Sequence, residues 1–133
     1  MKIYQRFFSV LFLMVLFISC SKTSFKGKWQ YNGGIYDGTA RPASADFKMQ
    51  RSYTSDKYEA YMIDGENPPE KYGSGSYQVK NDTFYVTSEF SAQPSQLLGK
   101  TIAYTYKFET DTLTIKGTLP NGMKVEEYWQ KVK

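Results

Sequence analysis

Arg51 and Glu127 are charged residues set in runs that are otherwise apolar at every second position. Phe47, Met49 and Tyr53 accompany the first, and Val125 and Trp129 the second. Side chains two apart in a strand share a face, so both charges fall among aromatic and aliphatic groups. An unpaired buried charge is costly. Arg51 therefore needs a partner, either Glu127 or an anionic or hydroxyl-rich ligand. That is the chemistry of binding, and catalytic chemistry finds less support. The chain has no His and one Cys, which leaves no imidazole base, no Ser–His or Cys–His pair and no thiolate zinc site. Glu126 and Glu127 are adjacent, so a strand points them to opposite faces, a poor geometry for concerted acid–base work. Asp64, Glu66 and Asn67 share a loop but lack the regular oxygen-ligand spacing of a calcium loop. The expectation is a protein that is not an enzyme and carries no cofactor or metal. The net charge is +4, and two of the basic residues, Lys2 and Arg6, belong to a leader segment. The rest is close to balance, with no electrostatic case for nucleic acid.

These residues must be positioned by strands. Beyond residue 20 no stretch keeps apolar residues at helical spacing. Alternation prevails, rich in Tyr, Thr, Phe, Val and Ile. The pattern predicts about eight strands: Gly27 to Ile35, Asp46 to Tyr53, Lys57 to Ile63, Tyr72 to Lys80, Thr83 to Phe90, Thr101 to Glu109, Thr112 to Thr118 and Met123 to Lys131. Three connections are tight, at Ser55-Asp56, Asn81-Asp82 and Thr110-Asp111, with Asn or Asp to accept left-handed backbone. Longer ones alternate with them, through Asp37-Gly38 and Arg41-Pro42, Asp64 to Pro69, Ser91 to Gly99, and Leu119 to Gly122. In an antiparallel meander, alternate connections lie at opposite ends. One end is then closed by tight turns and the other fringed by loops. Closure into a barrel also removes exposed sheet edges. The predicted fold is all-β, an eight-stranded antiparallel up-and-down barrel, with a β-sandwich as the alternative.

Alternation assigns an inner face. Phe47, Met49, Arg51 and Tyr53 go together, as do Gly73, Gly75, Tyr77 and Val79; Phe84, Val86, Ser88 and Phe90; Ile102, Tyr104, Tyr106 and Phe108; and Leu113, Ile115 and Gly117. The strand from Lys57 is ambiguous, since both faces are apolar. On the last strand Val125, Glu127 and Trp129 are favoured. The candidate ligand-binding residues are Phe47, Met49, Arg51, Tyr53, Tyr77, Phe84, Val86, Tyr104, Tyr106, Glu127 and Trp129. Gly73 and Gly75 leave room for a cavity, although a small barrel can equally be filled by its own side chains. Tyr36, Pro68, Pro69, Phe90, Leu97 and Leu98 are expected at the looped rim, as gate, partner contact or lid.

Gly27-Lys28-Trp29 opens the first strand. With the strand count and loop alternation, it resembles the Gly-x-Trp signature of lipocalin and calycin barrels. The resemblance implies that Trp29 plugs the closed end under a basic residue from the last strand, here Lys131. Thr110-Asp111 partly resembles the family's second motif, without its following aromatic residue. The whole is similar to uncharacterised lipocalin-like lipoproteins of Bacteroidetes-type bacteria.

The leader completes the reading. Lys2 and Arg6 precede an almost purely apolar run, Phe7 to Ile18, too short for a comfortable transmembrane helix and proportioned like a signal h-region. Ser19-Cys20 at its end resembles a bacterial lipobox, which implies diacylglycerol on Cys20 and cleavage after Ser19. Residues 1–19 are then a lipoprotein signal peptide, 20–24 the lipidated Cys and a short tether, and 25–133 the barrel. The tether reaches at most roughly 14 Å at ~3.5 Å per residue. The expected protein is anchored in the cell envelope, at the outer membrane, and binds a small hydrophobic or amphipathic ligand. The alternative is an envelope module with a filled barrel that binds a protein or glycan through its rim loops or outer aromatics.

Overall fold

Strand-forming residues and turn residues resolve into nine antiparallel strands in the computed structural model, which describes residues 24–133. The leader, Cys20 and most of the tether lie outside the described residues. The strands are β1 (Gly27–Tyr36), β2 (Thr39–Arg41), β3 (Lys48–Tyr53), β4 (Lys57–Ile63), β5 (Glu70–Lys80), β6 (Thr83–Ser91), β7 (Thr101–Glu109), β8 (Thr112–Thr118) and β9 (Lys124–Lys131). Each of β3 to β8 pairs with the next, and β9 returns to β1 with Trp29 opposite Lys131 and Tyr36 opposite Val125. The sheet is therefore a closed barrel of eight strands, which sets aside the sandwich.

β2 is the extra strand. A long connection was expected after the first strand. Instead Asp37 and Gly38 both take positive φ, 49° and 82°, and turn the chain straight back along β1. Asp and Gly suit that turn because one tolerates left-handed backbone and the other has no Cβ. β9 occupies one edge of β1, so β2 and β3 share the other, with Gly34 opposite Arg41 and Gln30 opposite Gln50. They are two pieces of one return strand, interrupted where residues 42–47 loop out.

The three tight turns sit together at the end where β1 begins. Asn81 takes positive φ as expected, but in the β7–β8 turn it is Thr110, not Asp111, that does so. The β3–β4 turn needs no left-handed residue, because the Thr54 hydroxyl accepts from the Lys57 N–H at 3.1 Å and the Thr54 N–H bonds the Lys57 carbonyl.

The inner faces largely follow the alternation. Tyr53, Tyr58, Ala60, Phe84, Val86, Ile102, Tyr104, Leu113, Ile115, Val125 and Trp129 are buried, which assigns Tyr58 and Ala60 to the interior of β4 and the Val125 set to that of β9. Two expected inner residues depart. Val79 is 41% exposed because it lies past Tyr77 at the end of its strand. Phe90 is 44% exposed because a bulge at Glu89 places it opposite Ser74 rather than Gly73.

Candidate functional site

The barrel is solid at one end and hollow at the other. The solid end is built on Phe25, which precedes the first strand. Its ring stacks on Phe84 with centroids 4.1 Å apart and meets Tyr106 and Phe108 edge-on. Trp29 holds it there by donating from Nε1 to the Phe25 carbonyl at 2.7 Å. Lys131 Nζ lies 4.7 Å from the centre of the Trp29 ring and donates to the Lys26 carbonyl at 2.5 Å. Gly27 permits this approach, since its φ is +115° and a Cβ there would collide with Lys131 Nζ. Gly27, Trp29 and Lys131 thus meet at the base of the barrel, with Phe25 as the ring they hold in place.

Glycine and aromatic residues also meet in pairs higher in the wall. A Cβ on Gly117 would come within 2.6 Å of Tyr104 Cδ1, and one on Gly75 within 2.9 Å of Tyr58 Cε1. The space at Gly75 is therefore taken first by the Thr87 carbonyl of the neighbouring strand, the atom nearest that Cβ, and then by Tyr58. Only ordinary contacts would meet a Cβ on Gly73, at 3.5 Å or more, and Gly73 does face a void.

That void is a cavity of about 200 Å³ opening on the looped end. Arg51, Tyr58, Tyr72, Val86, Lys100 and Tyr104 are among its walls. A bulge between Ala60 and Tyr61 in the β4–β5 register inserts Tyr72 as an extra residue, and bulges of this kind re-aim a side chain. The loop after β6 folds back over the same region. The Gly99 N–H donates to the Ser88 carbonyl at 2.7 Å, and Leu97 packs against the buried core.

Arg51 is the more buried of the two cations that line this cavity, Lys100 being exposed. Its guanidinium lies 4.8 Å from the Trp129 ring centre and 5.6 Å from that of Tyr58, attractive geometry for a cation over an aromatic face. Among the described residues its buried Nε has no hydrogen-bond partner, and neither does the buried Trp129 Nε1. The ion pairs of the described residues all join surface side chains, and none links Arg51 to Glu127. Glu127 acts from further away. Burial pushes its carboxyl above the usual range, against the pull of Arg51. Burial likewise pushes the Tyr104 phenol up to about 12, with Arg51 opposing. Tyr53 and Tyr58 shift upward for the same reasons.

A second recess of about 340 Å³ lies on the other side of the mouth. Phe47, Met49, Tyr31, Tyr36, Arg41 and Met123 line it. Tyr36 was expected on the rim. A bulge between Tyr31 and Gly34 shifts the parity of β1 against β9, so Tyr36 turns inward and shares a 2.8 Å hydrogen bond with the Tyr31 hydroxyl.

The structure thus divides the expected ligand-binding residues. Arg51, Val86 and Tyr104 line the 200 Å³ cavity, and Phe47 and Met49 line the recess. Tyr53, Tyr77, Phe84 and Tyr106 belong to the packed end, because Phe25 fills the space they enclose. Trp129 lies beneath Arg51, and Glu127 stands next to it along β9, opposite Gly34. Sequence reasoning missed Phe25, Tyr58, Tyr72 and Lys100. Of the rim residues, Leu97 is drawn inward, while Leu98 is 50% exposed and Pro68 and Pro69 are exposed.

No family model matches the chain, and no curated protein matches it. Solved structures do. An uncharacterized protein from Bacteroides eggerthii superposes with a TM-score of 0.59 at 16% identity, covering 82% of this chain and 100% of that one. A lipocalin-like protein from Bacteroides uniformis superposes with a TM-score of 0.56 at 13% identity, covering 80% of this chain and 97% of that one. With the closed eight-strand barrel and the Gly27–Trp29–Lys131 base, these likenesses identify the fold of this chain as lipocalin-like.

Proposed function

We propose that the chain is an envelope lipoprotein whose barrel mouth binds one small, partly hydrophobic molecule, and that it is a binder rather than an enzyme. A lipocalin-like barrel suggests ligand binding, and one observation carries the reading further. Arg51 lines a hollow part of the interior with a buried Nε that finds no hydrogen-bond partner among the described residues. Buried polar groups are normally hydrogen-bonded, so the site is finished by an acceptor that the protein does not supply. Val86, Ile102, Tyr58 and Tyr104 provide the apolar walls, and small-molecule pockets combine such walls with a few polar groups that fix orientation. The anchor rests on the Cys20 motif. Ser24 stands beside the tight-turn end, so a lipid on Cys20 holds the protein at the outer membrane with its mouth turned away.

Native mass spectrometry of the protein purified from its own host tests this. The expected result is a mass excess of one small molecule on the wild type and its loss in Arg51→Met. An unloaded wild type, or equal loading of both, contradicts the reading. Intact mass also checks the anchor, since the lipidated form begins at Cys20 and Cys20→Ala abolishes it.

Exposed Phe90 and Leu98 beside the mouth favour a second reading, in which the rim binds a protein or glycan of the envelope. Loss of a captured partner in Leu98→Asp, with the partner retained in Arg51→Met, would select it.

A further inference from the structure

The chemistry of the mouth narrows the ligand class, an inference that rests on the mouth being a binding site. We infer that it selects a small carboxylate carried on an apolar ring or short chain, with the charged group between Arg51 and Lys100.

Charge is the first argument. Among the described residues the cavity walls include two cations, Arg51 and Lys100, and no carboxylate. Neither cation joins an ion pair among the described residues. Tyr58, Tyr72 and Ser88, each bearing a hydroxyl, line the same space. The second argument is the orphaned Arg51 Nε. A neutral apolar molecule would leave the guanidinium uncompensated, whereas a carboxylate accepts charge-assisted bonds from the guanidinium that lines the cavity. The third is shape. Val86, Ile102, Leu97 and the face of Tyr104 need an apolar body against them, which excludes a bare inorganic anion. The fourth is size. About 200 Å³ equals the volume of roughly seven waters at ~30 Å³ each and falls below the ~300 Å³ at which drug-sized pockets begin. Benzoate has the right charge, planarity and bulk to serve as a probe.

The test is calorimetric titration of the full chain in detergent micelles, with micelles alone as the reference. The probes are benzoate, its neutral analogue benzyl alcohol, and inorganic phosphate. Benzoate is expected to saturate a single site, with the other two at least about tenfold weaker, the ~1.4 kcal/mol that one charge-assisted contact readily supplies. Lys100→Gln is expected to weaken benzoate severalfold while leaving the melting temperature unchanged, since Lys100 is exposed on the rim. That variant keeps the test independent of whether Arg51 variants fold. Benzyl alcohol binding as tightly as benzoate overturns the anion inference and leaves the binding-site reading intact. Phosphate matching benzoate, or Lys100→Gln matching wild type, overturns it in the same way. If none of the probes binds, the inference fails; if the host-purified protein is also unloaded, the binding-site reading fails with it.

Discussion

At the scale of single residues, burial decides more than sequence position. Glu127 is half-buried beside an arginine it does not touch, and its carboxyl titrates above the ordinary range because burial disfavours the charged form. The sign follows from linkage. A carboxyl whose folded pKa is raised adds stability below its ordinary value and loses that contribution as pH rises through the raised one. The wild-type melting temperature should therefore fall across that window, and Glu127→Gln should flatten the fall. An unchanged slope would show that Glu127 is solvated. The base offers a sharper contrast. Phe25→Ala empties the centre of an aromatic cluster and should cost about 3–5 kcal/mol in denaturant unfolding. Trp29→Phe keeps most of the ring but leaves the Phe25 carbonyl without its donor, for about 1–3 kcal/mol. Equal losses would mean that the hydrogen bond, not the ring of Phe25, holds the base together.

Elements are where the sequence was most legible and where it misled. Turn residues and alternation located eight strands, because Asn81-Asp82 and its counterparts interrupt runs whose period of two is unmistakable. Bulges were invisible to the same reasoning. An extra residue inverts every assignment beyond it, which is why Tyr36 turned inward, Tyr72 joined the cavity and Phe90 turned out. Phe25 escaped notice because it lies outside the alternating run that begins at Gly27. Glycines divided for a related reason. Sequence shows the missing side chain but not the neighbour that uses the space, and the Thr87 carbonyl and Tyr58 use that of Gly75. Two substitutions separate the physical causes. Gly117→Ala meets Tyr104 and the Ala103 carbonyl within 3 Å and should cost about 1–3 kcal/mol through overpacking. Gly38→Ala meets nothing within 4 Å but sits at φ +82°, so its cost, about 1–2 kcal/mol, comes from backbone alone. Gly38→Asn should recover part of that loss, and Gly117→Asn none of it.

For the whole molecule, closure matters most. β1 is gripped on both edges, by β9 along one and by β2 and β3 along the other. The base and the mouth wall consequently share strands and should unfold together. Trp29 and Trp129 report on these two regions, both buried in the native barrel. Single-tryptophan variants, Trp129→Phe and Trp29→Phe, should each give fluorescence and circular-dichroism transitions that coincide. A fluorescence transition of the Trp129 reporter that precedes the loss of strand signal would reveal a mouth that melts on its own.

Phe25 has a mechanical consequence. The residue just ahead of the first strand is driven into the core, clasped by an indole and stacked on Phe84. Among the described residues, only Ser24 precedes this fixed point. A pull applied at Ser24 is therefore transmitted directly to the aromatic base and, through Phe84, across to the far wall of the barrel.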